Sequence, residues 1–339
     1  MEENTMTAKS GVDIFEIGEP LSPAVMGDAT SLSKEAGDKI KAFARPDPGR
    51  FLFQLAMAWV TIIGVIFVAD YFQNIWVTVL AIFLIGTRQN ILGLLLHEQC
   101  HRSAFRSKLG DYIANFMTAY PLLITLEGYR NVHLTHHREY FTNKDPDYLR
   151  KQGEEWTFPQ PGRALLKTVL KDFIGLSTWK TIKSKQMDMP SPVKGKASAQ
   201  RWPRLGYYLI LIVVLVWTNT WSLFLLYWIL PLMTVLQVLV RWGAICEHKY
   251  NLVHPTVAES TPLIKLRWWE SLLIPNLNFT LHVYHHYYPG IPFSKLPEVH
   301  EIFCQEGLVT ERNVFNGYAG YLRYLMSRSS YGMVDKAAL

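Results

Sequence analysis

Two apolar runs joined by a two-residue turn constrain this chain more than anything else in it. Phe51–Phe72 is interrupted only by Gln54 and, near its end, Asp70. Gln73-Asn74 follows, and Ile75–Leu96 then returns and runs into His97-Glu98-Gln99-Cys100-His101. About 20 apolar residues at about 1.5 Å each span a hydrocarbon layer about 30 Å thick, so each run is predicted to cross a membrane as a helix. The second run holds Arg88-Gln89-Asn90. A charge at that depth costs roughly 2.5–3.5 kcal/mol, so Arg88 is predicted to face protein or a polar cavity. Inter-helix packing and a substrate channel toward the histidines account for it equally well.

Leu205–Trp217 and Leu223–Val240, joined by Thr218-Asn219-Thr220, form a second such pair, in which Pro231 is predicted to kink the later helix. Neither turn carries Lys or Arg, whereas the basic residues concentrate in the N-terminal tail, residues 102–206 and the C-terminal third. The positive-inside rule places those regions in the cytoplasm. The predicted fold is therefore an all-α integral membrane protein. Four transmembrane helices in two hairpins (about 51–72, 75–96, 205–221 and 222–240) carry a cytoplasmic helical cap, with both termini cytoplasmic. Residues 1–45 read as a flexible polar tail with room for one short helix near Ser31–Ala44, residues 46–325 as the membrane domain, and 326–339 as a C-terminal tail. Tyr112–Leu126, broken by Pro121, reads as an interfacial or re-entrant helix. No signal-peptide pattern opens the chain, so translocation of the N-terminus is not expected.

Composition narrows the function classes. The chain is 49% hydrophobic and 13% aromatic with 11 Trp, which suits a membrane interface. A net charge of +6 spread over several segments argues against nucleic acid as a partner. Cys100, Cys246 and Cys304 form no CxxC pair, which disfavours a disulfide framework or thiolate zinc knuckle and favours a reducing compartment.

Histidine carries the chemistry. Of 11 histidines, eight fall in three clusters: His97 and His101; His133, His136 and His137; His282, His285 and His286. On a helix, positions i, i+3 and i+4 share a face, so each H-x-x-H-H cluster can present three imidazoles to a common centre. Taken alone, H-E-x-x-H is a zinc-protease motif with His97 and His101 as ligands and Glu98 as general base. Eight imidazoles exceed the three or four ligands that one zinc takes and suit two metal ions with open positions. Such sites accept Fe, Cu, Zn or Ni, so the ligands leave the metal open. Soluble di-iron carboxylate bundles repeat Glu-x-x-His, whereas here Glu98–His101 stands without a second copy. His254 and His300 lie outside the clusters and read as structural; spacing leaves His248 undecided.

In motif order and spacing, residues 50–310 resemble the membrane fatty acid desaturase and hydroxylase superfamily. The matching residues are the first box, His97–His101, after a transmembrane hairpin; His133–His137 followed by Lys144-Asp145-Pro146-Asp147; Arg241 and Glu247-His248 after the second hairpin; and His282–His286 continuing as Tyr287-Tyr288-Pro289-Gly290-Ile291-Pro292-Phe293 and Leu296-Pro297. The resemblance implies that His97, His101, His133, His136, His137, His282, His285 and His286 bind two iron ions. It adds His248 as a ninth ligand, with Glu98, Asp145, Asp147, Arg241 and Glu247 as supporting candidates around the ligands. It further implies O2 as co-substrate, hydrogen abstraction from a lipid acyl chain, and a C=C product. A hydroxylase or carotenoid ketolase of the same superfamily is the near alternative, and a membrane zinc metalloprotease the distant one. No His-Pro-Gly-Gly haem motif or iron–sulfur cysteine set is present, so a separate ferredoxin or cytochrome b5 is implied as electron donor.

Overall fold

A computed structural model of the chain describes residues 29–183, 201–310 and 314–326. Residues 1–28 of the expected N-terminal tail and 327–339 of the expected C-terminal tail lie outside the described residues. The short helix expected near Ser31–Ala44 is α1, Lys34–Ala42, capped by Ser33, whose hydroxyl accepts from the Ala36 amide. This part of the segment is docked against the body. Ile40 is fully buried in one cluster with Val299 and Phe303, and the Ser33 amide and hydroxyl donate to Glu306 at 2.9 and 3.0 Å.

The first two apolar runs form α2, Pro48–Phe72, and α3, Ile75–Cys100. Asp47 caps α2 with Pro48 behind it, where a missing N–H costs nothing. Between the helices Gln73 takes the left-handed conformation and the Asn74 side chain accepts from the amides of Trp76 and Val77. One residue thus ends the first helix and the next starts the second. Helix α3 runs four residues past the expected end at Leu96, so His97 belongs to its last turn. Phe51, Leu55, Ala58 and Ile62 of α2 pack in one core with Ile85, Leu92 and Leu95 of α3, while Val60, Ile63, Phe67, Trp76 and Val79 face outward. Arg88 is half-buried, and its Nε donates to Thr87 Oγ1. Nine residues separate it from His97, about 180° of helical turn, so the two side chains leave α3 on opposite sides.

After α3 come α4, Lys108–Ala114, and a π turn, Asn115–Ala119; the chain then bends through Pro121. The helices α5, Leu126–Arg138, and α6, Pro146–Arg150, carry the second box and the turn after it. Next are α7, Gly162–Phe173; α8, Leu176–Lys183; and α9, Arg201–Thr218. Trp221–Glu247 is one long irregular helix: α10, Trp221–Phe224; a π turn, Leu225–Ile229; α11, Leu230–Met233; and α12, Val235–Glu247. The sharp break predicted at Pro231 falls three residues later, at Thr234 (φ −122°, ψ −84°). There the Thr234 hydroxyl donates to the Leu230 carbonyl and Gln237 Nε2 to that of Leu232, which satisfies backbone acceptors at the break.

Among the described residues three helices are long and apolar enough to cross a membrane: Pro48–Phe72, Ile75–Cys100 and Trp221–Glu247. The expected span at 205–221 falls on α9, whose 18 described residues begin with Arg201 and Arg204, and it is not among the three. The remainder packs as short helices: α13, Val257–Ser260; α14, Trp268–Leu273; α15, His282–Tyr287; α16, Leu296–Gln305; and α17, Gly317–Met326. Strands β1, Leu263–Lys265, and β2, Val314–Asn316, pair in parallel with Leu263 opposite Val314.

Candidate metal centre

The end of α3 is held in place by a residue of α5. Arg130 Nε donates to the Cys100 carbonyl at 2.9 Å and its NH2 to the Gln99 carbonyl at 2.8 Å, satisfying acceptors that a helix C-terminus leaves free. The same guanidinium donates to both Asp111 oxygens, at 2.7 and 3.1 Å, and Gln99 Nε2 donates to Asp111 at 2.7 Å. This clamp sets the α3 pair His97 and His101 against His133 and His137, one and two turns along α5 from Arg130.

The structure gathers all nine expected histidines into one patch and divides it into two groups. In the first, ring nitrogens of His97, His101, His133 and His285 lie within 4.8 Å of one another. His137 joins it, its Nε2 3.0 Å from that of His133 and 3.1 Å from that of His285. In the second, His136, His248 and His286 lie within 4.8 Å of one another. His282 joins that one, with its Nε2 3.1 Å from that of His286. Helical spacing allows each H-x-x-H-H cluster to face a common centre, and the geometry instead splits each between the two groups. Residues i and i+4 share a group, and the i+3 histidine goes to the other. Adjacent residues on a helix diverge by about 100°, so His136 and His137, like His285 and His286, cannot point the same way.

Three features suit the two groups to holding cations. The close Nε2 pairs are 3.0–3.2 Å apart. Nitrogens at right angles on a metal with bonds of about 2.1 Å lie about 3.0 Å apart, against about 3.4 Å for tetrahedral neighbours. Secondly, both ring nitrogens of His97, Nε2 of His101 and Nδ1 of His282 are buried without a hydrogen-bond partner among the described residues. Such orphaned polar atoms are costly unless something binds them. Thirdly, burial pushes His101 down to about 3 and His137 to about 2, and holds His133, His248, His282, His285 and His286 well below the ordinary histidine value. These rings are therefore neutral, the form that binds metal.

The supporting candidates separate by what they touch. Fully buried Asp145 lies 2.8 Å from His136 Nδ1, accepts from the Phe141 amide with the same oxygen, and caps α6 with the other. Glu98 reaches no imidazole through a hydrogen bond; its carboxylate accepts from the Phe293 amide at 3.3 Å, tying α3 to the segment after the third box. Asp147 pairs with Lys151 at 2.6 Å and accepts from Tyr250. Arg241 pairs with Asp172 and lies 4.3 Å over the Trp156 ring. Glu247 ends α12 and, among the described residues, makes no hydrogen bond to an imidazole. Sequence reasoning missed Arg130, Asp111, Tyr140 and Thr261. Tyr140 Oη and Thr261 Oγ1 lie 3.2 and 3.3 Å from His248 Nδ1, leaving its Nε2 for the group. Of these, only Arg130 had a readable signal, three residues before His133 on the same helix. His300 lies outside both groups, its Nδ1 2.7 Å from the Tyr284 hydroxyl.

A model of the family described as fatty acid desaturase matches residues 74–314. The dihydrorhizobitoxine desaturase of Bradyrhizobium elkanii is 25% identical over 296 residues, 82% of each chain.

Proposed function

The chain belongs to the fatty acid desaturase family, and on that premise we propose that it is an O2-dependent di-iron desaturase that introduces a C=C bond into a lipid acyl chain. The observation that carries this reading is the division of nine histidines into two adjoining groups, one more cation site than a zinc protease needs. Glu98, which that protease would use as its base, instead accepts from a backbone amide. The name of the similar protein puts desaturation ahead of hydroxylation or ketolation.

Two iron ions would supply O2-driven abstraction of hydrogen from an unactivated C–H bond. His97, His101, His133, His137 and His285 would hold one, and His136, His248, His282 and His286 the other. The protein's own residues prepare the site. Asp145 holds the Nδ1 proton of His136 and so directs Nε2 inward, as Tyr140 and Thr261 orient His248. The Phe279 ring packs edge-on at 4.5 Å from His97 and excludes water from that side. Electrons would come from a separate ferredoxin or cytochrome b5.

The same proposal includes four spans in two hairpins with the histidines on a cytoplasmic cap. Support comes from α9, where Leu209, Ile210, Val213 and Trp217 are exposed as a lipid-facing surface would be. Helix α3 is also about 39 Å long, enough to cross about 30 Å of hydrocarbon and still present its last turn beyond it. Mass spectrometry of lipids from a host expressing the protein with a ferredoxin or cytochrome b5 and its reductase tests the reaction. Loss of two hydrogens from an acyl chain supports it, gain of oxygen favours a hydroxylase, and unaltered lipids would exclude an acyl substrate.

A further inference from the structure

Away from the histidines, α7 combines two features that the metal centre does not use. Its inner face is buried at Leu165, Thr168 and Asp172, and Asp172 pairs with Arg241 of α12. Its outer face is apolar and open: Leu166 is 58% exposed, Leu170 51% and Phe173 51%, with Ile174 beyond at 68%. Beside that stripe Arg163, Lys167 and Lys171 recur every four residues and so form one row. The row and the stripe together line an open groove of about 360 Å³. The helix has one acid, Asp172, and it is turned inward.

We propose that α7 lies in the bilayer interface, with Leu166, Leu170 and Phe173 among the acyl chains and Arg163, Lys167 and Lys171 on the phosphates of anionic phospholipids. A stripe of large apolar side chains flanked by a single cationic row is the pattern of an interfacial helix. The ion pair with Arg241, six residues before the end of the Trp221–Glu247 helix, fixes α7 at the level where that helix leaves the hydrocarbon. A soluble acidic electron donor would meet the same charges, but its docking gives no role to three exposed apolar side chains in register. The inference rests on the reading of the long helices as membrane spans.

Hydrogen exchange of the full-length protein in nanodiscs tests it, comparing phosphatidylcholine alone with phosphatidylcholine plus phosphatidylglycerol. Amides across 162–174 are expected to exchange slower by on the order of tenfold with the anionic lipid, since each juxtamembrane cation contributes to the attraction. The combined Arg163→Gln, Lys167→Gln and Lys171→Gln substitutions are expected to remove the difference. Leu166→Ser with Leu170→Ser should speed exchange of the segment in both lipids. Equal exchange in the two lipids, or an undiminished difference in the glutamine variant, would overturn the proposal. So would protection that appears only on adding an acidic ferredoxin. A wrong assignment of the spans would look different, as fast exchange along α2 and α3 in both lipids.

Discussion

At Asp145 one buried carboxylate orients His136 and also starts α6, receiving the Phe141 amide as it does so. Asp145→Asn keeps the shape but can present an N–H where His136 needs an acceptor. Apparent metal affinity is expected to fall about 10- to 100-fold, as measured by competition with a chelator. Glu98 makes the opposite case. Glu98→Gln retains an oxygen for the Phe293 amide, so metal content is expected to stay unchanged and desaturation within about tenfold of the parent; a zinc protease would lose its base and nearly all activity. The eight clustered histidines were legible in the sequence because H-x-x-H-H is rare and helical spacing is local, whereas His248 entered only through the resemblance. What spacing could not give was their allocation. The rule that i, i+3 and i+4 share a face is loose by tens of degrees, and the packing of α3, α5 and α15 turns that looseness into two groups. Asp111 was illegible for another reason, and the place of Arg130 before His133 did not disclose its role, since nothing along the chain signals that a guanidinium on one helix will cap another. Arg130→Gln is expected to destabilise the protein by about 2–4 kcal/mol, read as a lowered thermal midpoint in detergent.

Among the elements, α3 meets the most neighbours and carries the first pair of histidines. Its approach to α12 depends on Gly86. A Cβ there would stand 2.5 Å from Val235 Cγ1 and 2.6 Å from Val235 Cβ, within a helix interface that has no space to give. Gly86→Ala is expected to cost about 1–3 kcal/mol by thermal unfolding and to lower metal occupancy, because α12 leads directly into His248. Helices α2 and α3 were legible to within a few residues, since an apolar run of fixed length with Gln73-Asn74 between two copies admits one reading. The helix after Trp221 was less so: a π turn and a break at Thr234 depend on which neighbours accept its freed carbonyls. The short helices α13 and α16 pack with the third box in one cluster, Ala258, Val299 and Phe303 around Val283 and Tyr284, while α17 packs through Tyr321 and Leu325 against Ile245 and Cys246 of α12.

For the molecule as a whole, membrane topology and metal content carry the account. Cys100 and Cys246 are buried and Cys304 is exposed on α16, beside the third box. A membrane-impermeant thiol reagent is therefore expected to leave intact cells unlabelled and to label Cys304 once they are permeabilised; labelling of intact cells would put the cap on the wrong side. The proposed state of the protein is nine histidines holding two iron ions. Elemental analysis of the purified full-length protein tests it most directly. About two irons per chain, falling when His136 or His137 is replaced, is the predicted result; one zinc per chain, or no bound metal after iron-replete expression, would contradict it.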